Sequence, residues 1–198
     1  MKKLFLLAAL VGLSAFAQTV PPLNFSVPNV GPTAHKVPAE LRSINVSVAR
    51  PDEQLGMLQA GHETLAPIWK SALEDALSRM AVFQDDAPRK VSVSAKILKI
   101  DVPGMGASFT TNTAARYEVI DRATGGLIYT KQIEAEGTTP MDFAFLGVAR
   151  ARESVNRSVQ NNIALFLKDM EGLDLGRPMF PAAPRPVGPV ASATGPNT

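Results

Sequence analysis

From Ser43 to Ala49 the chain alternates apolar and small polar residues. This puts Ile44, Val46 and Val48 on one face and predicts a half-buried strand that Arg50-Pro51-Asp52 ends. Beyond a loop containing Gly56 and Gly61 the apolar spacing lengthens to three and four. Leu65, Ile68, Trp69, Ala72, Leu73, Ala76, Leu77 and Met80 then form one stripe, while Lys70, Glu74, Asp75 and Arg79 fall off it. That spacing predicts a helix, with Thr64 as its N-cap, Pro67 in its first turn, and Gln84-Asp85-Asp86-Ala87-Pro88 breaking it.

Three more alternating runs come next. Lys90 to Ile100 carries Val91, Val93, Ala95 and Ile97 on one face, and Ala107 to Ile120 carries Phe109, Thr111, Thr113, Ala115, Tyr117 and Val119. Leu127 to Gly137 aligns Leu127, Tyr129, Ile133 and Ala135. The links, Asp101-Val-Pro-Gly-Met-Gly106 and Asp121-Arg-Ala-Thr-Gly-Gly126, are short, so these strands form an antiparallel meander. A long second helix comes last, capped by Asp142 and stopped by Gly172. Its stripe runs through Phe145, Val148, Arg152, Val155, Val159, Ile163, Phe166 and Met170. A sheet with one apolar face and two amphipathic helices bury each other in two layers. The expected fold is therefore α+β: an antiparallel β-meander plus an N-terminal strand, packed by two helices in the order β-α-β-β-β-α.

Proline sets the expected boundaries. Of 16 prolines, five lie between Pro21 and Pro38 and six between Pro178 and Pro196. This predicts one domain over residues 42–173, a proline-rich leader over 18–41, and a disordered tail of polyproline character over 174–198. Ahead of the leader, Lys2 and Lys3 precede an apolar run from Leu4 to Leu13, and Ser14-Ala-Phe-Ala-Gln18 places small residues where a signal peptidase requires them. Residues 1–17 are expected to be a signal peptide cut between Ala17 and Gln18. The run is shorter than the roughly 20 apolar residues of a spanning helix. A periplasmic or secreted protein with no transmembrane segment in its mature form is the expectation.

Export changes the charge. The whole chain carries a net +2, but without Lys2 and Lys3 eighteen basic residues meet eighteen acidic ones, which removes the electrostatic case for nucleic-acid binding. The absence of cysteine excludes disulfides, a thiolate zinc site, a thiol nucleophile and a lipid on an N-terminal cysteine.

The chemistry that remains is sparse. His35 lies in the leader. His62-Glu63 begins like a zinc-protease helix, yet Ala66 stands where the second histidine belongs. Asp85-Asp86 reads as a solvated turn. Gly104-Met-Gly106 reads as a hairpin turn, since it lacks the third glycine and following helix of a phosphate loop. Glycosidase chemistry needs two carboxylates across a cleft, and Glu118, Glu134 and Glu136 are strand residues that nothing singles out. There is no G-x-S-x-G elbow. No catalytic residue, cofactor site or metal ligand is assigned. Arg150, Arg152 and Arg157 concentrate positive charge on the last helix with only Glu153 nearby. They are either a solvated face or a contact for an anionic partner, which would be phospholipid headgroups or an acidic protein surface.

One stretch, Val91 to Met170, has a familiar pattern. It runs from Val-Ser-Val-Ser-Ala-Lys-Ile-Leu98 through Tyr117-Glu-Val-Ile-Asp121, the Ala-Thr-Gly-Gly126 turn and Glu136-Gly137, to a long helix with Ser154, Val155, Asn156 and Asn162-Ile163. In hydrophobic pattern and turn placement it resembles the small bacterial envelope proteins of the YajG type and, more loosely, the PqiC-like auxiliary lipoproteins of lipid-transport systems. The resemblance implies a non-catalytic envelope role and carries no site residues, and the chain departs from those families in having no lipidated cysteine. The expected function is thus an exported, non-catalytic accessory that binds or scaffolds envelope proteins or lipids. The alternative is a periplasmic hydrolase using dispersed carboxylates.

Overall fold

The structure, a computed structural model, describes residues 20–58 and 64–176. Strand β1 (Glu40–Val48) is followed by helix α1 (Leu65–Met80), strands β2 (Lys90–Asp101), β3 (Phe109–Asp121) and β4 (Leu127–Thr139), a 3-10 turn at Met141–Phe143, and helix α2 (Gly147–Glu171). The strands lie in the order β1-β2-β3-β4. β2, β3 and β4 are antiparallel neighbours, whereas β1 runs parallel to β2 because α1 carries the chain back to the end where β1 began. The α+β order read from the sequence is the order found.

Alternation puts Val91, Val93, Ala95 and Ile97 of β2 and Ala115, Tyr117 and Val119 of β3 in the core beneath the helices. Two bulges shift it. Between Ile97 and Lys99 the register slips, so Leu98 turns to the far face against Ala49 and Ala114, and Ile100 returns to the core. A second slip, opposite Val119 and Ile120, buries both Ile128 and Tyr129. It moves Leu127, expected in the core, to the outside with 40% of its surface exposed.

Helix α2 sits on β4 almost backbone to backbone. A Cβ at Gly137 would lie 2.1 Å from the Ser158 amide nitrogen and 2.5 Å from the Ser154 carbonyl oxygen, so only glycine permits this approach. The polar side chains at the contact are buried and satisfied: Thr111 Oγ1 lies 2.7 Å from Ser154 Oγ, and Ser158 Oγ donates to Thr113 Oγ1 at 2.9 Å. A relay then crosses the core. Trp69 Nε1 donates to Tyr117 Oη (3.1 Å), Tyr117 to Asn162 Oδ1 (3.0 Å), and Asn162 Nδ2 to the Ile133 carbonyl (2.9 Å). Burial pushes the Tyr117 phenol well above its ordinary range, which keeps it a neutral donor. Its ring stacks on Phe166 at 4.3 Å.

The chain departs from the sequence reading mainly at element ends. The stretch read as a free leader is a strap: Phe25, Val27, Val37 and Ala39 are buried, and Phe25 meets Trp69 edge-on. Asn24 N donates to Asn156 Oδ1 (2.9 Å) and Gln160 Nε2 to the Asn24 carbonyl (2.9 Å). Its prolines hold the backbone extended while the apolar residues between them anchor it. Helix α1 stops at Met80, ahead of the expected breaker, because Ala81 takes a left-handed conformation (φ 49°). Asp142 does not cap α2; it lies in the 3-10 turn, and Leu146 occupies the N-cap position. Consequently Phe145 precedes the helix, and Val148 lies exposed in its first turn, so neither joins the core stripe. The expected tail starts later than 174, since Leu175 is buried and its carbonyl accepts from Arg89 (3.3 Å). Residues 1–17, His62 and the rest of the tail from Arg177 lie outside the described residues.

Candidate functional site

The two ends of the sheet are built from different chemistry. At the end where β1 and β2 begin, Glu40 is paired with Lys90 and Arg42, and Arg89 Nε lies 2.8 Å from Asp121 Oδ2. Asp121 Oδ1 also accepts from the amides of Ala123 (2.9 Å) and Thr124 (3.2 Å). Burial works against its charge, yet Arg89 and these amides together hold the carboxyl below its ordinary range. Gly125, at φ 70°, makes the tight β3–β4 turn possible.

At the opposite end the chain makes three connections: 49–58 from β1, 102–108 between β2 and β3, and 140–146 from β4 into α2. These carry most of the large apolar side chains that face solvent. Met105 is 91% exposed at the hairpin tip, Phe145 87%, Met141 64% and Val148 55%, with Phe143 and Leu146 less so. Leu55 and Met57 are exposed too, set back beside β2, where Leu55 N donates to the Leu98 carbonyl (3.1 Å) and Ile100 N to the Met57 carbonyl (3.3 Å). Lys96 Nζ, 2.8 Å from Glu53, ties that loop to the sheet and, with the Arg50 amide, lowers the Glu53 carboxyl to about 2. Large side chains of this kind are usually buried, so their concentration at one end sets this surface apart from the rest of the molecule.

The arginines singled out by the sequence lie just behind this patch, in three different settings. Arg150 donates to the carbonyls of Ala144 (2.7 Å) and Phe145 (3.2 Å), and its guanidinium stands 5.5 Å from the centre of the Phe109 ring. Arg157 pairs with Glu153 (2.8 Å), donates to the Thr138 carbonyl (2.9 Å) and stands 5.5 Å over Phe143. Arg152 reaches the Pro21 carbonyl at 3.4 Å and is exposed. Sequence reasoning found these arginines but missed the apolar patch, having spent Phe145 and Val148 on the core. The available signal was Pro140 and Gly147, which delay the helix start past both the proposed cap and Phe145.

The other sequence candidates fall elsewhere. His35 is exposed, and Asp85 and Asp86 are exposed in the turn after α1. Among the described residues no group of three or more His, Cys, Asp or Glu could hold a metal ion. None of the described helices is long and apolar enough to cross a membrane. A cavity of about 670 Å³ is an open groove where Glu134 and Glu136 lie near Lys99 and Lys168. Those two carboxylates project from one face of a single strand and do not oppose each other across a cleft.

No protein-family model matches the chain, and no curated protein does. Solved structures do. Protein XCC0632 from Xanthomonas campestris, of family DUF330, is similar over 79% of this chain and 94% of its own, with 11% identity and a TM-score of 0.52. The hypothetical protein CT253 from Chlamydia trachomatis covers 68% and 96% at 13% identity (TM-score 0.47), and a minor lipoprotein from Acinetobacter baumannii 69% and 93% at 12% identity (TM-score 0.36). The fold is shared with the first of these.

Proposed function

We propose that this chain is an exported, non-catalytic accessory of the bacterial cell envelope that holds another envelope component against the loop end of its sheet. The observation that carries the reading is the gathering of exposed Met105, Met141, Phe143, Phe145, Leu146 and Val148 at one end, with Arg150, Arg152 and Arg157 behind them. Side chains of this kind gain only when something apolar covers them, at about 25 cal/mol per Å². The signal-peptide pattern ahead of Gln18 supports export, and the shared fold with the DUF330 protein agrees with the envelope resemblance in the strands and last helix.

Co-purification from native envelopes after mild crosslinking tests this, comparing the wild-type chain with a Phe145→Asp/Val148→Asp variant. Material held by the wild type and lost from an equally folded variant is the expected result. Equal capture by both, or none by either, contradicts it.

A further inference from the structure

We infer that the loop end is a membrane-contacting surface, seated in the headgroup region of a bilayer that carries anionic lipid. This deepens the envelope-binding reading and rests on it. The shape of the surface favours a fluid partner. Its apolar side chains stand on separate segments, at a hairpin tip and at a turn leading into a helix, with a third loop set back across the sheet. The four strands span about 15 Å at the usual inter-strand spacing. Single Met, Phe and Val side chains separated in this way insert independently into an interface, whose depth is set by how far the apolar face sinks, about 5–10 Å.

The polar groups suit that depth. Helix α2 rises about 1.5 Å per residue, so Arg150 and Arg152 sit roughly 5 and 8 Å behind Gly147, where headgroups would lie. Both helices start at this end: α1 finishes beside the start of β1, where Gln84 N bonds the Ala39 carbonyl, and α2 starts beside Phe109. Their positive dipole ends therefore face the patch. Helix α2 has no acidic residue in its first turn and no capping side chain. Among the described residues, the buried side-chain polar atoms left without a partner are Thr139 Oγ1 and Arg150 Nε, and both belong to this end. The acids at this end are Asp52, Glu53, Asp101, Asp142 and Glu153, of which Asp52 lies 3.8 Å from Arg50, Glu53 is engaged by Lys96 and Glu153 by Arg157.

The strap reaches the same end. It runs along α2 with Pro21 at Arg152 and Asn24 at Gln160, so toward its start it approaches the loop end. The apolar run Leu4–Leu13 precedes it in sequence.

The chain has no cysteine, so single labels can be placed cleanly in the exported protein. Met105→Cys, Phe145→Cys and, at the opposite end, Leu127→Cys are each coupled to a polarity-sensitive fluorophore. Each is then mixed with phosphatidylcholine vesicles with or without phosphatidylglycerol and with brominated lipid as quencher. The labels at 105 and 145 are expected to shift to the blue and be quenched on the anionic vesicles, and the label at 127 to stay unchanged. Arg152→Gln should weaken binding about fivefold. An equal response on vesicles without phosphatidylglycerol, a response at all three sites, or none at 105 and 145 would overturn the inference. So would a blue shift in vesicle-free buffer with a doubled mass, which would make the occupant a second copy. If vesicles fail while the crosslinked wild type still captures a protein that the Phe145→Asp/Val148→Asp variant loses, only the lipid assignment falls. If both fail, the envelope-binding reading falls with it.

Discussion

The two ends of this sheet are made from the same strands and solve opposite problems. Where β1 and β2 begin, charges meet their partners: Glu40 with Lys90 and Arg42, Arg89 with Asp121, and Arg122 near the hydroxyls of Ser43 and Ser92. The β3–β4 turn there is tight, and the large apolar side chain beside it that meets solvent is Leu127. At the other end, longer connections expose methionine, phenylalanine, leucine and valine. One end is finished within the molecule, and the other leaves large apolar side chains facing solvent. A stability requirement explains the first and gives no reason for the second.

The comparison can be broken at its base by attacking the frame that holds the ends apart. Gly137→Ala should be the most damaging substitution, because its Cβ would meet the backbone of α2. We expect a loss of about 3 kcal/mol, or a melting temperature lower by about 10 °C, read by thermal denaturation. A smaller loss, about 2 kcal/mol, is expected from Asn162→Ala, which strands the buried Tyr117 hydroxyl and leaves a cavity. Chemical denaturation measures it.

Other changes sharpen the contrast. Asp121→Asn at the paired end should cost about 1 kcal/mol and leave binding untouched. It should also flatten the acid limb of the stability curve. Asp121 titrates below its ordinary range in the folded state, so its contribution is complete above the unfolded carboxyl value near 3.9 and fades as pH falls below it. Phe145→Asp/Val148→Asp should do the reverse, changing stability by less than about 0.5 kcal/mol while abolishing capture from envelopes. The smallest effect concerns the 49–58 loop. Glu53 is held at about 2, so its tie to Lys96 is complete above the ordinary carboxyl value and is lost as pH falls toward 2. Protection of the amides of residues 50–58 against exchange, taken relative to their intrinsic rates at each pH, should fall over that interval more than protection in β2 and β3.

The sequence carried the elements well because apolar periodicity is a local signal: every strand and both helices lie where alternation or helical spacing places them. It failed where a single residue resets the alternation or the start of an element. The bulges at Leu98 and Ile128 each turn a side chain over, and no local pattern announces them. Ser154, Ser158 and Asn162 stand outside the apolar stripe of α2, and a buried polar seam is legible only alongside Thr111, Thr113 and Gly137 on facing strands. The proline-rich leader had the composition of a tether, but Phe25 and Val37 give it a place in the core. The apolar end was hidden for a related reason. Phe145 and Val148 fit the helical spacing of α2, but Phe145 precedes the helix start at Gly147 and Val148, in its first turn, is exposed.

The central claim is that the loop end does the binding. A photo-reactive side chain placed at Phe145 or, as control, at Leu127 tests it most directly in intact cells, with products separated by mass. The account predicts adducts from position 145 and few from 127. Equal adducts from both positions, or adducts from 127 alone, would contradict it.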